Sequence, residues 1–238
     1  MYAKFAQWYD FHYRSIKDYD AEVERVAYLL EKLGPKPSVI LDVACGAGEH
    51  ARILSERYGY AVDGIDLEPG LVEAAQLKNP SGDFTVADMT DFRLPKSYDV
   101  VSCLFSSIGY VETLAGLDQA IASMARHLKP GGWLLLEPWV EPEAWKDGIA
   151  DATESHDEAT GVRVLQTRLG KLDGAVSEIT IDYDIETPDE RLAFTETHRL
   201  GLFARDEVES ALSRHHFESQ RLPAGVLNNP LYVACYTP

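Results

Sequence analysis

Asp42, Asp66 and Asp88 each close a short apolar run, and the first stands four residues before a glycine-spaced turn, Gly46-Ala47-Gly48. A carboxylate in such a place can accept hydrogen bonds from hydroxyls or neutralise a cationic amine. Glycine lets the backbone turn with positive φ and lets a ligand approach the main chain closely. Asp42 is placed to reach a cationic amino group or to order the loop. Asp66, twenty residues after Gly46, is placed to accept from a ribose diol. Asp88 can accept from an adenine exocyclic amine while Met89 packs on the ring. Together these groups describe a site for a nucleoside cofactor. Taken singly, each acid is an ordinary strand end or helix cap, so only their joint spacing carries weight. With Ala51 the glycines also satisfy the G-x-G-x-x-G/A pattern, which leaves a dehydrogenase, or a tight turn with no ligand, open at this point.

The elements that must hold these groups alternate. Residues 38–43 predict a buried strand and 51–58 a helix closed by Gly59; 61–65 predict the second strand and 68–78 the next helix. Further strands are expected at 84–87, 98–105 and 133–137, the last after a helix over 117–128 and the turn Lys129-Pro130-Gly131-Gly132. Strand–helix alternation at intervals of about 20 to 25 residues is the signature of an α/β, doubly wound parallel sheet. Ligands bind such sheets outside the carboxyl ends of the strands, where Asp42, Asp66, Asp88 and Phe105 fall. Before the first strand, Tyr2, Phe5, Tyr9 and Tyr13 keep roughly helical spacing, and Asp18 and Asp20 can cap a second helix that Gly34-Pro35 stops. After residue 140 the pattern becomes alternating polarity over 162–169, 176–185 and 192–203, which predicts an inserted antiparallel three-stranded sheet. A helix over 205–214 and a hairpin of 217–222 with 231–236 complete the main sheet. The expected organisation is an N-terminal helical segment (1–36), a core (37–140 and 204–238) and the inserted sheet (141–203).

At 238 residues the chain is long enough to bury a substantial core, and its 45% hydrophobic and 26% charged content is that of a globular protein. The net charge of −17 repels a polyphosphate backbone, so neither nucleic acid nor an anionic membrane surface is the expected partner. A small molecule is. No stretch nears the roughly 18 apolar residues of a membrane helix, and the first residues lack a signal peptide's apolar block, so a cytoplasmic location is expected. Three widely spaced cysteines, Cys45, Cys103 and Cys235, suit reduced thiols. No metal-ligand spacing is present among the histidines, so no metal is expected.

The segment Asp42-Val43-Ala44-Cys45-Gly46-Ala47-Gly48 resembles the first motif of class I S-adenosylmethionine (SAM) methyltransferases, and Leu128-Lys129-Pro130-Gly131-Gly132 resembles the turn before their fifth strand. Tyr9-Asp10, Lys17-Asp18-Tyr19, Asp88-Met89, Phe105-Ser106-Ser107-Ile108-Gly109-Tyr110, Glu137-Pro138-Trp139 and Thr197-His198-Arg199-Leu200 narrow the resemblance. They are similar to the sugar N,N-dimethyltransferases that methylate amines of nucleotide-linked amino deoxysugars in macrolide biosynthesis. The resemblance implies a Rossmann-like class I fold, SAM as methyl donor with S-adenosylhomocysteine as product, and a small-molecule amine acceptor. A homodimer is allowed. It implies an N-terminal segment that closes over the cofactor as a lid, and cofactor contacts from Tyr9, Tyr19, Asp42, Ala44, Cys45, Gly46, Gly48, Asp66, Leu67, Asp88, Met89, Leu104 and Phe105. It further implies catalytic roles for Tyr110 and Tyr2, and an acceptor pocket of Tyr13, Ser107, Glu137, Trp139, His198 and Arg199. The chain departs from that pattern at Pro223-Ala224-Gly225-Val226-Leu227-Asn228-Asn229-Pro230, where the relatives carry a glycine-rich run with an arginine. An O- or N-methyltransferase for another metabolite, or a non-catalytic nucleotide-binding protein, are the alternatives.

Overall fold

A computed structural model describes residues 5–148, 150–226 and 229–238. Tyr2 lies outside them. The chain opens with two helices, α1 (Ala6–Ile16) and α2 (Tyr19–Lys32). Asp18 caps α2 by accepting from the Ala21 N–H at 3.0 Å. Alternation then follows: β1 (Val39–Val43), α3 (Glu49–Tyr58), β2 (Ala61–Asp66), α4 (Pro69–Lys78), β3 (Phe84–Val86), β4 (Tyr98–Cys103), α5 (Leu114–Arg126) and β5 (Leu128–Leu136). Helix α5 starts earlier than its apolar spacing suggests because the Thr113 side chain accepts from Gly116 N–H and caps it there. Four strands come next, β6 (Ala150–Asp157), β7 (Val162–Asp173), β8 (Val176–Glu186) and β9 (Arg191–Gly201), and then α6 (Arg205–Arg214), β10 (Phe217–Leu222) and β11 (Leu231–Tyr236).

The main sheet has seven strands in the order β10-β11-β5-β4-β1-β2-β3. Strands β1 to β5 run parallel, and β11 and β10 close the edge as an antiparallel hairpin. Consecutive residues serve opposite layers, as a sheet buried on both faces requires. Ile40, Val100 and Leu135 pack with α1 to α4, whereas Leu41, Val101, Leu134 and Leu136 pack with α5 and α6. The two buried layers leave the carboxyl ends of β1, β2, β3 and β4 on one edge.

The second sheet is antiparallel with four strands, β6-β7-β8-β9, not three. Strand β6 escapes the polarity pattern because Thr153 and Ser155, its more buried residues, are polar rather than apolar. Their partners are supplied from outside the strand. His12 of α1, fully buried, meets Ser155 Oγ at 2.8 Å and Gln166 Oε1 at 3.3 Å, and Thr153 donates to Gln166 Oε1 at 3.1 Å. This network seats α1 on the inner face of the sheet, where Phe5 also stacks on Tyr183 with ring centroids 4.2 Å apart. Among the described residues no helix is long and apolar enough to cross a membrane.

Candidate functional site

A cavity of about 500 Å³ opens between the strand ends of the main sheet and the inner face of the second. Asp66, Leu67, Asp88 and Met89 line it from the ends of β2 and β3, and Ala44, Gly46 and Phe105 from the ends of β1 and β4. Tyr9 and Tyr13 of α1 form part of its wall, and Ser107, Tyr110, Trp139 and His198 line it as well. A smaller cavity of about 40 Å³ shares Tyr9, Ala44, Gly46, Phe105 and Ser107 with it and extends to Lys17, Tyr19, Asp42, Cys45, Glu49, His50 and Leu104. The strand ends are locally strained: Ala44 (φ 58°), Phe105 (φ 54°) and Ser106 (φ 62°) adopt left-handed conformations that non-glycine residues seldom take.

The Asp66 carboxylate joins two segments. One oxygen accepts from Gly46 N–H at 2.9 Å and the other from Glu68 N–H at 2.9 Å, so it fixes the glycine turn and the approach to α4 together. Burial raises its pKa, and the backbone donors oppose that shift. Asp42 is buried and accepts from Ser102 Oγ at 2.9 Å; burial raises its pKa also, against the lowering influence of His50 and the Ser102 hydrogen bond. Tyr9 lies over Gly46, its hydroxyl 3.5 Å from where a Cβ would stand, so a side chain there would fill the gap between helix and turn. Burial, reinforced by Tyr19 and Tyr13, drives the Tyr9 phenol well above its ordinary value and keeps it protonated.

Lys17, which the sequence offered only as part of the Lys17-Asp18-Tyr19 motif and not as a contact residue, lines the smaller cavity. Its side chain is only 6% exposed; its Nζ lies 3.0 Å from Glu22 Oε2 and 3.7 Å from the Phe105 ring centroid. Desolvation lowers its pKa, with Glu22 pulling the other way. Asp42 and Glu49 line the same cavity, so the site offers a buried cation and buried carboxylates, groups that complement an amino-acid zwitterion.

On the acceptor side, the Tyr110 hydroxyl and His198 Nδ1 are 2.9 Å apart, and Trp139 is pinned by donation of its indole N–H to Ser177 Oγ at 3.0 Å. His198 belongs to the inner face of β9, buried to 2% exposure. Arg168 of β7 and Asn229 also line the main cavity. Alternation supplied a signal for Arg168: Val164 and Gln166 are buried on the same face, so the next inward position carries a charge where an apolar residue is expected.

Three expected contacts are not brought to either cavity. Gly48 (φ +74°) backs onto α4, where an added Cβ would stand 2.8 Å from both Ala75 Cβ and Asn79 Nδ2, so it serves helix packing. Glu137 is fully buried and accepts from Phe105 N–H at 2.8 Å and Val226 N–H at 3.2 Å, which makes it a brace beneath the loop. Arg199, next to His198, projects from the opposite face of β9 and pairs with Glu112 at 3.1 Å, Glu178 at 2.9 Å and Asp173 at 3.1 Å. Its hydrogen bonds to Glu112 and Asp173 raise its pKa. Exposed pairs of this kind contribute little to stability, and none of these four side chains lines either cavity. Arg199→Ala is expected to leave kcat and KM within about twofold of wild type in steady-state assays; a larger rise in KM would return it to the acceptor pocket.

A methyltransferase-domain family matches residues 40–132. The chain is 33% identical over 230 residues, 96% of its own length and 89% of the relative's, to dTDP-3-amino-3,6-dideoxy-alpha-D-glucopyranose N,N-dimethyltransferase of Streptomyces fradiae. It is 32% identical, over 91% of both chains, to dTDP-3-amino-3,4,6-trideoxy-alpha-D-glucopyranose N,N-dimethyltransferase of Streptomyces venezuelae. The crystal structure of Streptomyces venezuelae DesVI superposes with a TM-score of 0.91 at 31% identity, covering 98% of each chain. A SAM-bound amino pentose methyltransferase from Micromonospora echinaspora superposes with a TM-score of 0.85 at 29% identity, covering 96% of each chain.

Proposed function

Since the chain belongs to the class I SAM-dependent methyltransferases, in the family of the amino-deoxysugar N,N-dimethyltransferases, we propose that it methylates the amine of a nucleotide-linked amino deoxysugar. The observation that carries this reading is the continuity of one cavity from Asp66 and Asp88 at the strand ends to Tyr110, His198 and Arg168 on the opposite side. In it, Asp66 holds a ribose diol and Asp88 and Met89 receive the adenine, while Asp42 and Lys17 of the adjoining smaller cavity hold the amino-acid end. SAM supplies a methyl group on a sulfonium, already activated for substitution by a neutral amine. What remains for the protein is placement, exclusion of water and management of one proton.

Several features support each part. Buried carboxylates and Lys17 are matched to the charges of the donor, and α1 with Tyr9 and Tyr13, which wall the main cavity, would serve as its lid. Ile179, Ile181 and Leu200 give the acceptor side an apolar floor suited to a deoxysugar. Arg168 is the one lysine or arginine among the described residues lining the main cavity, and suits an acceptor with a phosphate. The C-terminal stretch, which lacks the relatives' arginine, contributes Asn229, whose amide donates to Ser106 Oγ at 3.1 Å.

Mass spectrometry of products from a panel of amino sugars, free and dTDP-linked, tests the reading. The expected result is SAM-dependent gain of one or two methyl groups on the linked amines. Calorimetric binding of NAD without SAM would overturn it. Tyr110→Phe is expected to lower kcat at least tenfold with SAM affinity within about twofold, because the hydroxyl orients the amine and passes its proton on. Wild-type turnover in that variant would remove Tyr110 from the mechanism.

A further inference from the structure

Glu196 is on the same inward face of β9 as His198 and outside the walls of both cavities. Its side chain is 11% exposed, and Oε2 is buried 3.6 Å from His198 Nε2, beyond hydrogen-bond distance but in direct electrostatic contact. Among the described residues that oxygen has no hydrogen-bond partner. A buried carboxylate oxygen left without a donor is costly unless a positive charge arises beside it. Arg168 is not that charge. Strand register puts Arg168 opposite Ile181 and Ile181 opposite Glu196, two strand spacings or about 10 Å away, and Arg168 donates to Asp151 at 2.8 Å. The group within reach is the imidazole.

We infer that Glu196 is a positioning residue that, through His198 and Tyr110, completes a relay draining the acceptor's proton. The inference rests on the amine-acceptor reading above. Tyr110 O–H donates to Nδ1 of His198 only when the imidazole proton is on Nε2, and the carboxylate facing Nε2 selects that tautomer. When an acceptor ammonium loses its proton to the Tyr110 oxygen, the tyrosine proton moves to Nδ1. The amine gains its lone pair, the phenol stays neutral, and the imidazolium formed lies beside Glu196. The proton leaves to solvent before the next cycle. Each methylation creates a new ammonium, so a dimethylating enzyme needs the relay again before its second transfer. Among the described residues, other ionisable groups near this end include Arg168 on β7 and Tyr13 on α1, which line the cavity, and the buried Tyr183 on β8.

Two experiments decide it. In wild-type protein with S-adenosylhomocysteine bound, nitrogen-15 NMR of the His198 imidazole at pH 8 is expected to show the Nε2–H tautomer; Nδ1–H would overturn the relay. In Glu196→Gln, kcat on the best amine acceptor is expected to fall about 10- to 100-fold. The same nitrogen-15 measurement on this variant should show a weaker preference for the Nε2–H tautomer, because the carboxylate that selects it is gone. SAM affinity and Tm should stay near wild type. An unchanged kcat and tautomer, or a kcat loss matched by equal losses of SAM affinity and Tm, would make Glu196 merely structural. If wild-type protein methylates no amine at all, the acceptor reading fails instead, which the tautomer measurement keeps distinct.

Discussion

Asp66→Ala is expected to weaken SAM binding by about 3 kcal/mol, more than a hundredfold in Kd by calorimetry. A ribose diol donating to a carboxylate accounts for about 1.5 to 3 kcal/mol alone. The rest comes from the glycine turn, because the same carboxylate accepts from Gly46 and Glu68 N–H, each at 2.9 Å. Removing it unties the turn from α4 and leaves two inward N–H groups without their acceptor. The asparagine variant sharpens the point. Its amide keeps one oxygen but must turn an NH2 group toward one of those two N–H donors, so Asp66→Asn is expected to lose nearly as much affinity as Asp66→Ala. Were the residue only a ribose acceptor, asparagine would retain much of the binding. A folded alanine variant with unchanged Kd refutes both roles. Because burial raises this carboxyl above its ordinary value, affinity should also decline on acidification sooner than an ordinary aspartate would cause.

The strand-end acids were legible for a local reason: a carboxylate closing an apolar run, at fixed distance from a glycine turn, is written within a few consecutive residues. The alternating core was legible in the same way, since helix and strand periods do not depend on partners. What sequence could not display was contact across the chain. Tyr110 and His198 are 88 positions apart, and only the approach of β9 to the turn after β4 joins them. His198 and Arg199 are adjacent, and one faces the cavity while the other meets surface carboxylates; strand phase separates them, and the flanking pattern sets that phase only once Ile179 and Ile181 are known to face inward. Gly48 satisfied the cofactor motif for a packing reason that depends on Ala75 and Asn79. Strand β6 was lost because its inward residues satisfy a histidine from α1 rather than an apolar core.

Lys17→Met is expected to raise the Kd for SAM by about 2 to 3 kcal/mol, roughly 30- to 150-fold, while sparing the fold. Methionine keeps most of the apolar stem that packs between Phe105 and Tyr19, whose ring centroids lie 3.7 and 4.5 Å from Nζ. Only the charge is removed. Glu22, which loses that partner, retains His50 at 2.9 Å. The loss should be confined to ligands with a carboxylate at the amino-acid end. Methylthioadenosine, which has the adenosine and sulfur but no amino acid, should bind wild type and Lys17→Met equally, whereas Asp66→Ala should weaken both ligands. The pH dependence has a definite sign. Desolvation depresses the Lys17 pKa, so the ammonium is lost at lower pH than in an ordinary lysine, and SAM affinity falls as pH rises through the depressed value. Methylthioadenosine binding should stay flat there. Equal loss of both ligands in Lys17→Met would mean that the lysine acts through the α1–α2 junction, and the carboxylate would need another partner.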